Sequence, residues 1–109
     1  MGYIYLLIAI TGEIIATTYL KSTNNFSELI PSTYVVIGYG TAFYFMMLAM
    51  KTIPIAITYS IWAAAGIAAI TLLGALKYKE VPDLLALLGL SLIILGVIIL
   101  VFYSKMGTN

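Results

Sequence analysis

The chain contains no cysteine and no histidine. The first absence excludes disulfides and thiol chemistry, and together the two remove the usual zinc and haem ligands. Without histidine there is no side chain whose ordinary charge change falls near neutral pH, so any proton handling must rest on a carboxylate. Charge of either sign is scarce: 8% of the 109 residues are charged and the net charge is +1. Such a balance argues against a nucleic-acid partner. There is no phosphate-binding loop of the GxxxxGK[ST] type and no His- or Cys-based nucleophile. Neither enzyme activity nor a cofactor is therefore expected, and any energy for transport has to come from an ion gradient.

What is abundant is apolar surface. Hydrophobic residues make up 63% of the chain, with a mean hydropathy of +1.14. A soluble domain is about 45–50% apolar and about 25% charged, so the expected class is an all-α integral membrane protein. At about 20 residues per span, the length allows four helices. The apolar runs place them at about 3–20, 33–50, 55–76 and 84–103 within a single domain, 1–109. The segment from Ser22 to Pro31 is polar and closed by a proline, so it reads as a loop, with Ser32 or Thr33 available to cap the second helix. Lys51-Thr-Ile-Pro54 forms a short turn, Lys77 to Asp83 a charged loop, and Ser104 to Asn109 a polar tail. The first apolar run lacks a basic leader and contains an acid, so it is expected to be a retained span and not a cleaved signal. Four spans enclose little volume, and an oligomer is expected on size alone.

The acid is Glu13, well inside the first run. A carboxylate at the centre of a membrane helix costs about 2.5–3.5 kcal/mol on insertion scales, and such a residue is by default a functional group. Its short stem does not reach the headgroups as that of lysine can. On a helix its neighbours include Leu6, Ala9, Ile10, Ala16, Thr17 and Leu20. Ala9 and Ala16 either leave room beside the carboxylate or let another helix approach closely; the sequence does not choose between these. A carboxylate in such a setting binds a proton or a cation but not both fully, which is the requirement for proton-coupled exchange.

Aromatic residues supply the second half of a site. Tyr39, Tyr59 and Trp62 fall within the spans, and Tyr59 and Trp62 share a face. Their rings attract lipophilic ammonium groups, whereas a small hydrated metal ion would want several oxygen ligands. Helix 4 carries almost no polar group, but Gly89 and Gly96 are two turns apart on one face and suit self-association. Lys51 and Lys105 fall on one side of the membrane and Lys21, Lys77 and Lys79 on the other. That near balance gives the positive-inside rule little to act on. The chain is expected to insert both ways up and to pair as an antiparallel, dual-topology homodimer.

Four stretches together resemble the small multidrug resistance family over essentially the whole chain. They are Tyr3-Ile-Tyr-Leu6; Gly12-Glu-Ile-Ile-Ala-Thr-Thr-Tyr-Leu-Lys21; Phe26 with Ile30-Pro-Ser32; and Ile53-Pro-Ile-Ala-Ile-Thr-Tyr-Ser-Ile-Trp62 with Gly66-Ile67. The resemblance implies a proton/drug antiporter of the prokaryotic cell membrane. Such a protein exports quaternary ammonium and polyaromatic cations by alternating access, its partners being protons, lipophilic drugs, membrane lipid and its own copy. It implies that Glu13 is the shared proton and substrate group. Tyr39, Phe43, Tyr59 and Trp62, with Ile10, Ala16 and Thr17, would form the pocket, Gly66 a helix-3 hinge, and Gly89 and Gly96 the dimer contact. A guanidinium or polyamine exporter on the same scaffold, or one subunit of a heterodimer, is the alternative. Two departures stand out: Ala64 replaces a glycine common in the family's third helix, and Tyr19 is bulkier than the family leads one to expect.

Overall fold

The computed structural model describes residues 1–105. It contains four α-helices: α1 (Gly2–Leu20), α2 (Leu29–Ala49), α3 (Ile55–Tyr78) and α4 (Leu84–Phe102), with a short 3-10 turn over Lys21–Thr23. All four are long and apolar enough to cross a membrane. At about 1.5 Å per residue they match a hydrocarbon layer of about 30 Å. The part of the expected polar tail from residue 106 onward lies outside the described residues.

One boundary differs from the sequence reading. α2 begins at Leu29, so Pro31 sits inside its first turn, and Glu28 takes the capping position in an extended conformation. Proline is tolerated there because the first N–H groups of a helix have no intrahelical partner to lose. Ser32 and Thr33 do not cap; their hydroxyls donate back to the carbonyls of Glu28 and Leu29. The start of α4 does follow the capping logic, since Asp83 accepts a hydrogen bond from the Ala86 N–H at 2.9 Å.

α1 is the central helix: its backbone comes close to both α2 and α3, while α4 packs on α3. Its buried residues, Gly2, Leu6, Ala9, Gly12 and Ala16, recur every three or four positions and so form one stripe. That stripe meets Val35, Gly38, Ala42 and Ala49 of α2. The crossing is tight. A Cβ built on Gly12 would lie 2.9 Å from the Gly38 carbonyl oxygen, and one on Gly38 would lie 2.8 Å from both the Ala16 Cβ and the Gly12 carbonyl oxygen. Small residues let two backbones approach in this way where lipid offers no hydrophobic drive for association.

The two ends of the bundle are held differently. Around the α2–α3 turn, Leu6, Ala49, Ile53 and Ile57 form an apolar cluster, with Ile10, Trp62 and Leu100 packed against it. At the other end α1 and α3 are joined by polar contacts. α4 buries none of its residues, and the subunit is a slab of 45 × 35 × 18 Å.

Candidate functional site

With the 2-6-9-12-16 stripe of α1 turned to α2, the next position, Glu13, is aimed at α3. The Thr17 hydroxyl, one turn on, donates to Glu13 Oε1 at 3.0 Å. Thr17 Oγ1 also lies 2.7 Å from the Tyr39 hydroxyl. A threonine has one proton to give, and it goes to Glu13, so the phenol of Tyr39 is the donor in the second bond. The result is a directional chain, Tyr39 to Thr17 to Glu13, linking α2 to the carboxylate through α1. The other oxygen, Oε2, is buried and has no hydrogen-bond partner among the described residues.

Oε2 rests on Gly66 of α3. A Cβ on Gly66 would lie 2.6 Å from it, so only glycine leaves the carboxylate its place. α3 runs as unbroken helix through this position. Gly66, expected from the resemblance to act as a hinge, is here the seat of Glu13. Ala64, two residues earlier, is buried.

The aromatic side chains are arranged around this point. Tyr59 and Trp62 are 5.6 Å apart between ring centroids, Trp62 and Phe43 6.2 Å, and Phe43 and Tyr39 6.1 Å and nearly parallel. They form a continuous curved wall from α3 to α2. A cavity of about 310 Å³ lies against it, lined by Glu13, Thr17, Tyr59, Trp62, Ala63, Gly66, Ile67 and Ile70. The indole Nε1 of Trp62 is, like Glu13 Oε2, buried without a partner among the described residues. Buried polar atoms are nearly always satisfied, and an exception calls for an explanation. Two exceptions on residues lining one cavity make it the candidate site of this subunit. Phe43 and Tyr59 are more than half exposed, at 54% and 56%, so the wall is not closed over by the rest of the subunit.

Not every residue expected in the pocket lines it. Ala16 is fully buried in the α1–α2 crossing, against Gly38. Its methyl sets the distance between two helices and does not touch the cavity. Ala9 is fully buried too, which decides in favour of close helix approach. Ile10 packs on the apolar cluster near the α2–α3 turn and is not among the cavity-lining residues. Tyr39 and Phe43 reach the site through Thr17 and Trp62 and do not line the cavity themselves. A Cβ on Gly89 or Gly96 would meet nothing within 4 Å, so both face away from the rest of the subunit. Ile67 and Ile70 were missed. Ile70 follows Tyr59, Trp62/Ala63 and Gly66 at helical spacing, and extending that face would have found it. Tyr19, unexplained by sequence, stacks edge-on with Tyr34 at 5.2 Å and carries the Lys77 ammonium 4.6 Å above its ring.

Comparison with known proteins bears on this arrangement. The model of the Small Multidrug Resistance protein family matches residues 1–93. The chain is 43% identical over 108 residues to the quaternary ammonium compound-resistance protein QacE of Escherichia coli, covering 99% of this chain and 98% of that one. It is 44% identical over 93 residues to a putative ethidium bromide resistance protein of Salmonella typhimurium (85% and 81% covered). It is 41% identical over 98 residues to QacC of Staphylococcus aureus, also a quaternary ammonium compound-resistance protein (90% and 92% covered). Four apolar spans and bacterial relatives matched nearly end to end make this a multi-pass protein of the bacterial inner membrane. A family match over most of the chain, together with relatives aligned over nearly all of it, establishes that it belongs to the small multidrug resistance family.

Proposed function

We propose that the protein exports quaternary ammonium and other lipophilic aromatic cations in exchange for protons. The observation that carries this reading is Glu13 Oε2, a buried carboxylate oxygen without a partner among the described residues, beside a wall of open aromatic faces. A cation placed there gains a full opposite charge in a low-dielectric setting and about 0.5–2 kcal/mol from each ring it faces. A proton on the same carboxylate removes the charge and with it most of the attraction. One site therefore serves both ions in turn, and no cofactor is needed. The names of the relatives, which refer to quaternary ammonium compounds and ethidium, favour flat or bulky cations over guanidinium.

The working unit in this reading is an antiparallel homodimer. A slab 18 Å thick does not enclose a drug, and its aromatic wall is open on one side. α4, with no buried residue and with Gly89 and Gly96 facing outward, supplies a surface for a second copy. In such a dimer the two Glu13 carboxylates would face one chamber. Exchange of conformation between inverted subunits would turn the chamber from one side to the other.

The test is proton flux driven by a tetraphenylphosphonium gradient in proteoliposomes containing this chain alone. The wild-type protein is expected to couple the two, and Glu13→Gln to abolish coupling and the pH dependence of binding. Wild-type-like, proton-driven export by Glu13→Gln would refute the mechanism. A silent wild-type chain that gains flux only with a second, related subunit would replace the homodimer by a heterodimer.

A further inference from the structure

The cleft between α1 and α3 continues past Glu13. A second cavity of about 150 Å³ adjoins the first, with Thr17 and Ile70 lining both, and ends at Tyr78, Lys21 and Glu80. The wall chemistry changes along the way. Around Glu13 it is aromatic; toward the loops Ile70, Leu73 and Gly74 keep it largely apolar, but the rings of Tyr59 and Trp62 are gone and the Thr17 and Thr18 side chains, the Tyr78 phenol and the Lys21–Glu80 pair enter the lining. The aromatic faces that would hold a lipophilic cation stop at the first cavity, while the groups added at the far end can hydrogen-bond water.

Three polar contacts bridge the helices at the far end. Lys21 Nζ pairs with Glu80 Oε2 at 2.6 Å. The Tyr78 hydroxyl donates to the Thr18 carbonyl at 3.0 Å. With that proton used, the Ser22 hydroxyl is the donor to the Tyr78 oxygen at 2.8 Å. The Lys21 ammonium also lies 4.8 Å above the Tyr78 ring. Glu80 reaches Lys21 because of how α3 ends. Lys79 adopts a left-handed conformation (φ 58°), and the N–H groups of Lys79 and Glu80 both turn back onto the Gly74 carbonyl. The chain folds over the helix end and presents Glu80 to α1. The Lys21 and Glu80 side chains are 63% and 60% exposed. An ion pair so exposed is weak, which suits a contact that must open and close repeatedly.

We infer that Lys21, Tyr78 and Glu80 form a latch closing the loop-side mouth of the α1–α3 cleft, and that its opening admits water and protons to Glu13. The proton part rests on the exchange proposed above; the hydration part does not. The chain has no cysteine, so Ile70→Cys provides a single reporter thiol midway along the cleft. In lipid nanodiscs, its rate of labelling by a water-soluble methanethiosulfonate reagent reads how often water reaches that point. Glu80→Gln is expected to raise the rate about threefold, and Tyr78→Phe combined with Glu80→Gln at least about tenfold, as befits one weak ion pair and the two hydrogen bonds of the Tyr78 hydroxyl. The charge swap Lys21→Glu with Glu80→Lys is expected to return the rate to that of the parent. Labelling unchanged by both the single and the double variant would overturn the latch. Drug-driven proton flux measured on the same proteins separates the two proposals. Absent flux in the wild-type protein refutes exchange and leaves the labelling result standing, whereas normal flux with unchanged labelling refutes the latch alone.

Discussion

Replacing Gly66 by alanine should separate the stability of this fold from its ability to bind a cation. The new methyl carbon would lie 2.6 Å from Glu13 Oε2, 3.3 Å from its Cδ and 3.4 Å from Oε1. Ordinary contact requires the nearest oxygen to retreat by about 0.8 Å. The Gly66 backbone is fixed within α3, so the carboxylate, at the end of a flexible side chain, is what moves. A displacement of that size takes Oε1 out of line with Thr17, whose hydrogen bond stands at 3.0 Å. A hydrogen bond to a charged group contributes about 1.5–3 kcal/mol, so affinity for a cation held at Glu13 should fall about tenfold to a hundredfold. The fold should lose much less than the site, because alanine is better than glycine within a helix by about 1 kcal/mol and offsets part of the lost hydrogen bond. Trp62 is the only tryptophan in the chain and lies in the site, so titration with tetraphenylphosphonium can be followed by its fluorescence, with thermal unfolding measured in parallel. Thr17→Val removes the same hydrogen bond without the steric push and should reproduce part of the loss. A folded Gly66→Ala protein with unchanged affinity would refute the seat assigned to Glu13.

Two further outcomes are expected. Trp62→Ala should weaken binding of aromatic cations about threefold to thirtyfold, measured by calorimetry, while leaving dimer formation in detergent intact; unchanged affinity would remove Trp62 from the site. Gly38→Leu should destabilise the protein by about 1–3 kcal/mol through overpacking, because the added Cβ meets the Gly12 carbonyl and Ala16. Gly40→Leu, where an added Cβ meets nothing within 4 Å, is the control and should unfold like the wild type; equal losses at both positions would refute the tight α1–α2 crossing.

The four spans were legible because apolar runs of span length are interrupted by charge only at their ends. Glu13 was legible because it violates that rule. The start of α2 was not, since a proline reads as loop while a first helical turn accommodates it. Ala16 and Gly66 show a deeper limit. In a soluble helix one apolar stripe identifies the buried face. Here every face of α1 and α3 is apolar, so periodicity does not say which neighbour a residue meets. Ala16 was assigned to the pocket by resemblance, yet it faces α2. Gly66 was assigned a hinge by resemblance, and its contact with a carboxylate 53 positions away in sequence was not foreseen. Tyr19 and Glu80 became intelligible only when the ends of α1 and α3 were seen side by side.

The sequence by itself determined the class of this protein and its central group. Composition forces the chain into a membrane, and the scarcity of charge leaves Glu13 as the one carboxylate well inside an apolar run. These are one-dimensional properties, set by transfer free energies that each residue carries wherever it lies. Tertiary structure decided which oxygen of Glu13 has no partner among the described residues, that the Thr17 hydroxyl and, behind it, Tyr39 hold the other, and where the cleft ends. Those depend on a helix crossing only as close as Gly12 and Gly38 allow, and on a left-handed residue turning Glu80 back toward Lys21. Distances of this kind arise from packing between segments far apart in the chain, and no local pattern in the sequence encodes them.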